Sequence, residues 1–563
     1  MSTVPALLLG LASRRSAPCS ALAGWSALAT WGALALSGCA STPTAPTPAA
    51  PTTLELQVLA FNDFHGNLEP PSEGFAVAGR RVEAGGVEHL AGQVAWYRAR
   101  APHTLVVAAG DLIGASPLAS SLFHDEPTVR AMNVMGLDVL AVGNHEFDEG
   151  ADELVRLMKG GCHPKRGCRP GERWTGARFD VLAANVRRTG AAEPLFPASV
   201  VKRYDGVAVG VVGLTLEGTA KLQPASFGGV EFADEVRTVN AEVERLRAQG
   251  VRAIVVVVHE GGTVKGFDVD GCQDLEGPIV KLVEGLHAEV DLVVSGHTHR
   301  FYNCVVAGRR TTSAGSYGRG LTRAVLTIDR ASGDVVRVSA ENKVVTHTVA
   351  PDAAVSATVA PYLAEARRVG DRVVGRIAAK LVRDPWPAGG SPLGAVLADA
   401  HLAATRALGA EVALMHPGGI RTELRFEPTP PEATPGEVRL AEVGAVQPFE
   451  NLLEVYAIRA DALATILGQH ARRGGEGALS PSAGLRYAIG ERGVDVRSLR
   501  LDGKPVRADR EVKVAVNAYL AGKGFSAKGR RLGEAVTDTD ALRAYLEAQP
   551  GPVAVPAPRV DAE

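Results

Sequence analysis

Six cysteines in 563 residues are too few to frame a disulfide-built scaffold, so the chain has to fold around an apolar core. Charge of one sign is also missing. With 60 Lys+Arg against 62 Asp+Glu, the formal net charge of −2 gives no support to wholesale binding of a nucleic-acid polymer. Beyond the N-terminal region no stretch approaches the roughly 20 uninterrupted apolar residues of a membrane span. There is no paired CxxC pattern of a structural zinc site and no internal repeat. Aromatic residues make up only 5% of the chain, so those that fall inside functional motifs merit selection. What is there, 46% hydrophobic and 22% charged residues, is an ordinary globular composition, long enough for several domains.

Residues 1–38 read as an export signal: Arg14 and Arg15 precede an uncharged Ala/Leu/Trp-rich stretch, and no charge returns until Glu55. The stretch ends in Leu36-Ser37-Gly38-Cys39, which resembles the bacterial lipobox and makes Cys39 the expected acyl anchor to a membrane. Residues 39–53 form a Pro/Thr/Ala linker that cannot pack a core. The expected location is therefore an exported, lipid-anchored one facing the periplasm or cell surface, with Ala40 favouring the outer membrane. Export permits disulfides, and the four later cysteines allow three pairings. Cys162 and Cys168 bracket a Gly/Pro-rich loop while Cys272 and Cys304 flank a later motif, which favours 162 with 168 and 272 with 304.

From Leu54 onward short aliphatic runs alternate with helix-like stretches, the pattern of an α/β sandwich. Five of the runs end in metal-ligating residues. LELQVLAF leads to Asp63 and His65, HTLVVAA to Asp111, LDVLAV to Asn144, RAIVVVV to His259, and VDLVV to His297 and His299. Loops beyond the carboxyl ends of strands build the active sites of open α/β folds, so residues scattered along the sequence can converge. Their oxygen and imidazole donors suit Mn, Zn, Fe or Mg and disfavour copper(I). One aspartate bridging two ions, with three further ligands on each, needs this number of side chains. Two such ions about 3.5–4 Å apart activate water and neutralise phosphoryl charge. Apart from these four strand-end histidines and His145, which directly follows Asn144, the remaining nine of the 14 histidines, His124 and His163 among them, read as solvated or locally bonded.

The order DFH, GD, GNHEFD, H, GHTH resembles the calcineurin-like metallophosphoesterases, specifically the bacterial and animal 5'-nucleotidase family. The resemblance covers essentially the whole mature chain. It implies a four-layer α/β/β/α metallophosphoesterase sandwich over 54–348, a linker helix over 349–370, a separate C-terminal α/β substrate-binding domain over 371–549 and a loose tail over 550–563. It implies two divalent ions, one held by Asp63, His65 and His299, the other by Asn144, His259 and His297, with Asp111 between them. His145, its ring oriented by Asp148, would donate to the phosphoryl or leaving group.

SPLGAVLADA, HPGGIR, VQPFENLL and VAVNAYLAGKGF resemble the marks of the family's substrate domain. Arg421 is the expected phosphate ligand and Phe449 and Tyr519 the expected base-stacking pair, while His416 stands where the family has asparagine. AGKGF is shorter than the family's GGDGF-type loop and carries Lys523 in place of the aspartate that holds ribose hydroxyls. A lysine cannot accept hydrogen bonds from a diol but can pair with an anion. The implied function is a metal-dependent phosphoric ester hydrolase acting on small phosphate esters, foremost a 5'-nucleotidase. The alternatives are a 2',3'-cyclic phosphodiesterase, a UDP-sugar pyrophosphohydrolase and a non-catalytic surface binding lipoprotein. Movement of the C-terminal domain about 349–370 is expected to deliver substrate, and no protein partner is expected.

Overall fold

The computed structural model describes residues 51–562 apart from 72–73, 78–79, 165–166, 169–172, 223–228, 267, 428–433, 450 and 472–476. The expected signal segment, Cys39 and nearly all of the linker lie outside the described residues. Twelve strands form two six-stranded sheets. In chain order they are β1 (Thr53–Phe61), β2 (Thr104–Ala109), β3 (Val139–Ala141), β4 (Asp180–Leu182), β5 (Ser199–Tyr204) and β6 (Val207–Thr215). There follow β7 (Ala253–His259), β8 (Leu292–Ser295), β9 (Phe301–Val306), β10 (Arg309–Ala314), β11 (Gly320–Asp329) and β12 (Val335–Val344). The sheet orders are β12-β11-β1-β2-β3-β4 and β9-β10-β8-β7-β6-β5. β1, β2 and β3 run parallel, as do β6, β7 and β8.

Side chains alternate across each strand, and here both faces are covered. Leu56, Val58 and Ala60 of β1 meet Val209, Val211, Val255 and Val257 between the sheets. Leu59 and Phe61 face the other way, onto Leu90 and Val94 of helix Val87–Arg98 and onto Val129 and Met132 of helix Glu126–Met135. On the second sheet Ile254, Val256 and Val258 pack against Val239, Val243 and Leu246 of helix Glu235–Ala248. Helix, sheet, sheet and helix therefore stack in four layers. Burial on both faces is why these strands read as unbroken apolar runs.

The second body is built on β13 (Val412–Met415), β14 (Leu452–Arg459), β15 (Glu511–Asn517) and β16 (Arg530–Thr537). They lie in the order β13-β15-β14-β16, with Ser480–Pro481 on the outer side of β13. Helix Pro392–Thr405 packs on one face through Leu393, Val396 and Leu397, and helix Ala460–Ala471 on the other through Leu463, Ile466 and Leu467. Helix Ala353–Gly370 joins the bodies; Asp352 caps it by accepting from the Ala354 and Val355 amides. Its Val355, Val359 and Ala366 belong to the same apolar cluster as Leu90, Val129 and Met132. A pivot inside that helix would break this packing.

Of the expected loose tail, 550–563, the described residues 550–562 are held instead. Val553 and Val560 are buried, Val560–Ala562 pairs in parallel with Leu485–Gly490, and Arg559 forms an ion pair with Asp399 at 2.7 Å. Both expected disulfides form, Cys162–Cys168 and Cys272–Cys304. Among the described residues no helix is long and apolar enough to cross a membrane.

Candidate metal centre

The carboxyl ends of β1, β2, β3, β7 and β8 bring all seven expected ligands together. Asp63, His65, Asp111, His297 and His299 sit at positive φ, a left-handed conformation that costs roughly 1–2 kcal/mol for a residue with a side chain. Such backbone persists only where other contacts over-determine it. Here the Asp63 amide donates to Gly110 O, the His65 amide to Asp111 O, and the His297 amide to both Asp63 carboxylate oxygens. The motif glycines follow from the same crowding. A Cβ on Gly110 would lie 2.4 Å from His259 Nδ1, and one on Gly143 would lie 2.3 Å from Asp111 Oδ1.

Two groups of ligands emerge, Asp63 with His65 and His299, and Asp111 with His259 and His297. Asn144 completes the second, its Oδ1 3.1 Å from His259 Nε2. One oxygen, Asp111 Oδ2, faces both groups, 3.0 Å from His259 Nε2 and 3.6 Å from His65 Nε2. The tautomers can be read from the backbone. His65 Nδ1 donates to Gly114 O at 2.9 Å and His259 Nδ1 to Ala109 O at 2.8 Å, because a carbonyl only accepts. Each neutral ring then presents an Nε2 lone pair inward, where His65 Nε2 lies 3.2 Å from His299 Nε2 and His259 Nε2 lies against two acceptors. Lone pairs converging on lone pairs are matched by cations, so this donor set fits two divalent ions.

Burial is the largest influence on these histidines and favours the neutral ring. It holds His65 well below the usual histidine range, lowers His299, and takes His297 down to about 4. His259 goes the other way: against burial, the carboxylates of Asp111 and Asp63 push it up to about 10. A proton on His259 and a divalent ion are thus alternative ways to balance Asp111. Without metal, that proton stabilises the fold fully below about pH 6.5, a contribution lost as the pH rises through about 10. Metal binding must displace it. Apparent affinity for Zn²⁺ or Mn²⁺ is therefore expected to rise about tenfold per unit between about pH 6.5 and 9. Competition against a chelator measures this, and a flat profile would contradict it.

His145 Nδ1 lies 3.0 Å from each oxygen of Asp148, whose Oδ2 also accepts from the Ala115 amide. Burial lowers this histidine, but Asp148 and Asp111 outweigh it and raise the ring above its usual value. His145, Asn144 and His297 line a cavity of about 190 Å³ together with His416, Gly418, Arg421, Phe449, Asn451 and Tyr519 from the second body. Phe449 stacks on His145 with centroids 5.5 Å apart, and Arg421 Cζ lies 5.4 Å from the Phe449 ring. The Tyr519 ring stacks on His416 at 4.6 Å, and Lys523 Nζ lies 4.9 Å from its centroid. Burial takes His416 down to about 3, so it stays neutral. Phe449 and Tyr519, expected to flank a base, each have a protein ring against them here.

Sequence reasoning gave no role to Glu146, which is buried and accepts from the amides of Asp111, Leu112, Ile113 and Gly143. It ties the β2 and β3 loops together and so places Asp111 relative to Asn144. Only its position inside GNHEFD could have marked it. Arg383 was likewise missed. Its Nη1 donates to Ile420 O and Arg421 O and fixes the turn that carries Arg421.

Comparison with known families agrees with this division. The family described as "Calcineurin-like phosphoesterase" matches residues 56–301, and "5'-nucleotidase, C-terminal domain" matches residues 373–529. Cell wall protein Lmo0130 of Listeria monocytogenes is 31% identical over 89% of this chain and 68% of its own length. Endonuclease YhcR of Bacillus subtilis is 31% identical over 85% of this chain, which spans only 38% of that protein. Among solved structures, a 5'-nucleotidase precursor from Thermus thermophilus superposes with a TM-score of 0.72 at 25% identity, covering 90% of this chain and 99% of its own.

Proposed function

Because the chain belongs to the family that joins a calcineurin-like phosphoesterase domain to a 5'-nucleotidase C-terminal domain, we propose that it hydrolyses 5'-nucleotides to nucleosides and phosphate. The observation that carries this reading is Arg421 Nη2, buried beside the metal ligands without a hydrogen-bond partner among the described residues. An unpaired buried guanidinium nitrogen is costly unless an anion completes it. Asp63, His65 and His299 would hold one divalent ion and Asn144, His259 and His297 the other, with Asp111 facing both. When bound, the ions supply a water nucleophile at neutral pH and neutralise phosphoryl charge. Arg421 grips a phosphoryl oxygen with its fork. His145, with Nδ1 committed to Asp148, uses Nε2 to donate a proton to the leaving oxygen. Phe449 and Tyr519 offer flat walls to the base, and no covalent enzyme intermediate is needed.

The YhcR name favours testing a polymer substrate beside small esters. Hydrolysis is to be measured by chromatographic separation of the products, with nucleoside monophosphates, 2',3'-cyclic nucleotides, UDP-sugars and single-stranded DNA as substrates. Preference for the monophosphates supports the proposal; turnover confined to the other substrates would remove the nucleotidase reading while keeping the hydrolytic site. Export with acylation at Cys39 completes it, motivated by Leu36-Ser37-Gly38-Cys39. The mass of the mature N-terminal peptide tests that step, and an unmodified Cys39 would discard it.

A further inference from the structure

A second cluster of ligating side chains lies apart from the catalytic one. His124, Glu149, Glu153 and His163 each offer one donor atom, all within 4.8 Å of one another. They come from three pieces of chain. His124 follows the short helix Leu118–Ser121, Glu149 directly follows Asp148, Glu153 belongs to helix Ala151–Lys159, and His163 lies in the loop closed by Cys162–Cys168. The two imidazoles stack nearly parallel, with centroids 4.0 Å apart and planes at 10°. Both turn a nitrogen to the same oxygen, Glu149 Oε2, at 3.3 Å from His124 Nδ1 and 3.9 Å from His163 Nε2. Glu153 is held in place by Arg156, whose Nε and Nη2 donate to it at 2.7–2.9 Å. A carboxylate has lone pairs beyond those two donors.

We propose that these four side chains form a third divalent-ion site, of zinc type, built on no residue of the catalytic pair. Two imidazole nitrogens and two carboxylate oxygens are a borderline donor set that zinc accepts tetrahedrally, whereas calcium and magnesium prefer all-oxygen shells. A tetrahedral shell with bonds of about 2.1 Å places donor atoms about 3.4 Å apart, within reach of small side-chain rotations from the spacing seen.

The site's place in the fold gives it a task. Glu149 adjoins Asp148, which orients His145. His124 adjoins Asp125, whose Oδ2 accepts from the Gly114 amide, and Gly114 O in turn accepts from His65 Nδ1. An ion here clamps the disulfide loop onto both segments, a positioning role rather than a catalytic one.

The test is the number of zinc ions retained by the metal-stripped full chain after titration with Zn²⁺ and gel filtration, read by elemental analysis. The wild type is expected to hold three ions and the His124→Ala/His163→Ala variant two. Glu149→Gln, at a half-exposed position that needs no refolding, is expected to weaken the third ion by roughly 10-fold or more in competition with a chelator. The Asp111→Ala variant, damaged only at the catalytic pair, is expected to keep the third ion. Equal zinc counts in the wild type and the double variant, or unchanged affinity in Glu149→Gln, would overturn the proposal.

Discussion

Replacing His145 by alanine is expected to lower kcat on AMP by about 10²–10⁴-fold, the usual contribution of a positioned general acid or base. The imidazole is buried, Asp148 holds Nδ1, and the two nearby carboxylates raise its proton affinity, so the ring is kept both oriented and protonatable. The metal ligands are other residues, and the His145 amide, which donates to Asp111 Oδ1 at 2.9 Å, survives the substitution. Bound metal should therefore be unchanged and KM little altered. Asp148→Asn is expected to lose less, because it disturbs orientation and basicity without deleting the acid. Steady-state kinetics with metal analysis on the same samples check this; a kcat within about threefold of wild type would remove His145 from the mechanism.

Arg421→Ala should cost about 10- to 100-fold in kcat/KM, since a hydrogen bond to a charged group contributes about 1.5–3 kcal/mol and each 1.4 kcal/mol is a decade. Lysine is expected not to restore it, because the ammonium lacks the planar fork. This substitution lies in the second body, yet its predicted effect is on chemistry at the first. It therefore also tests whether the cavity between them is the working arrangement. Unchanged kcat/KM would place productive substrate elsewhere.

The strand-end Asp and His residues that cluster in two groups were legible in the sequence for a physical reason. Parallel strands buried on both faces give unbroken apolar runs, and the abrupt polar residues after LVVAA or AIVVVV mark where each strand leaves the core. What could not be read depends on contacts between distant segments. Val560–Ala562 follows a proline-rich stretch that reads as loose, and its partner strand Leu485–Gly490 lies some 70 residues upstream. Glu146 looks like one more acid until its carboxylate is seen holding the amides of two loops. His124 and His163 had no motif around them, and their stacking joins a turn to a residue beside the Cys162–Cys168 disulfide, far apart in sequence. Phe449 and Tyr519, expected to stack a base, lie on the cavity wall, but their contacts with His145 and His416 belong to tertiary packing that no local pattern reports.

Metal dependence of phosphate release from AMP tests the central claim most directly. Metal-stripped chain should release no phosphate above the chelator control, and Mn²⁺ or Zn²⁺ should restore turnover that Asp111→Ala cannot regain. Undiminished phosphate release from the stripped chain, or full activity in Asp111→Ala, would contradict it.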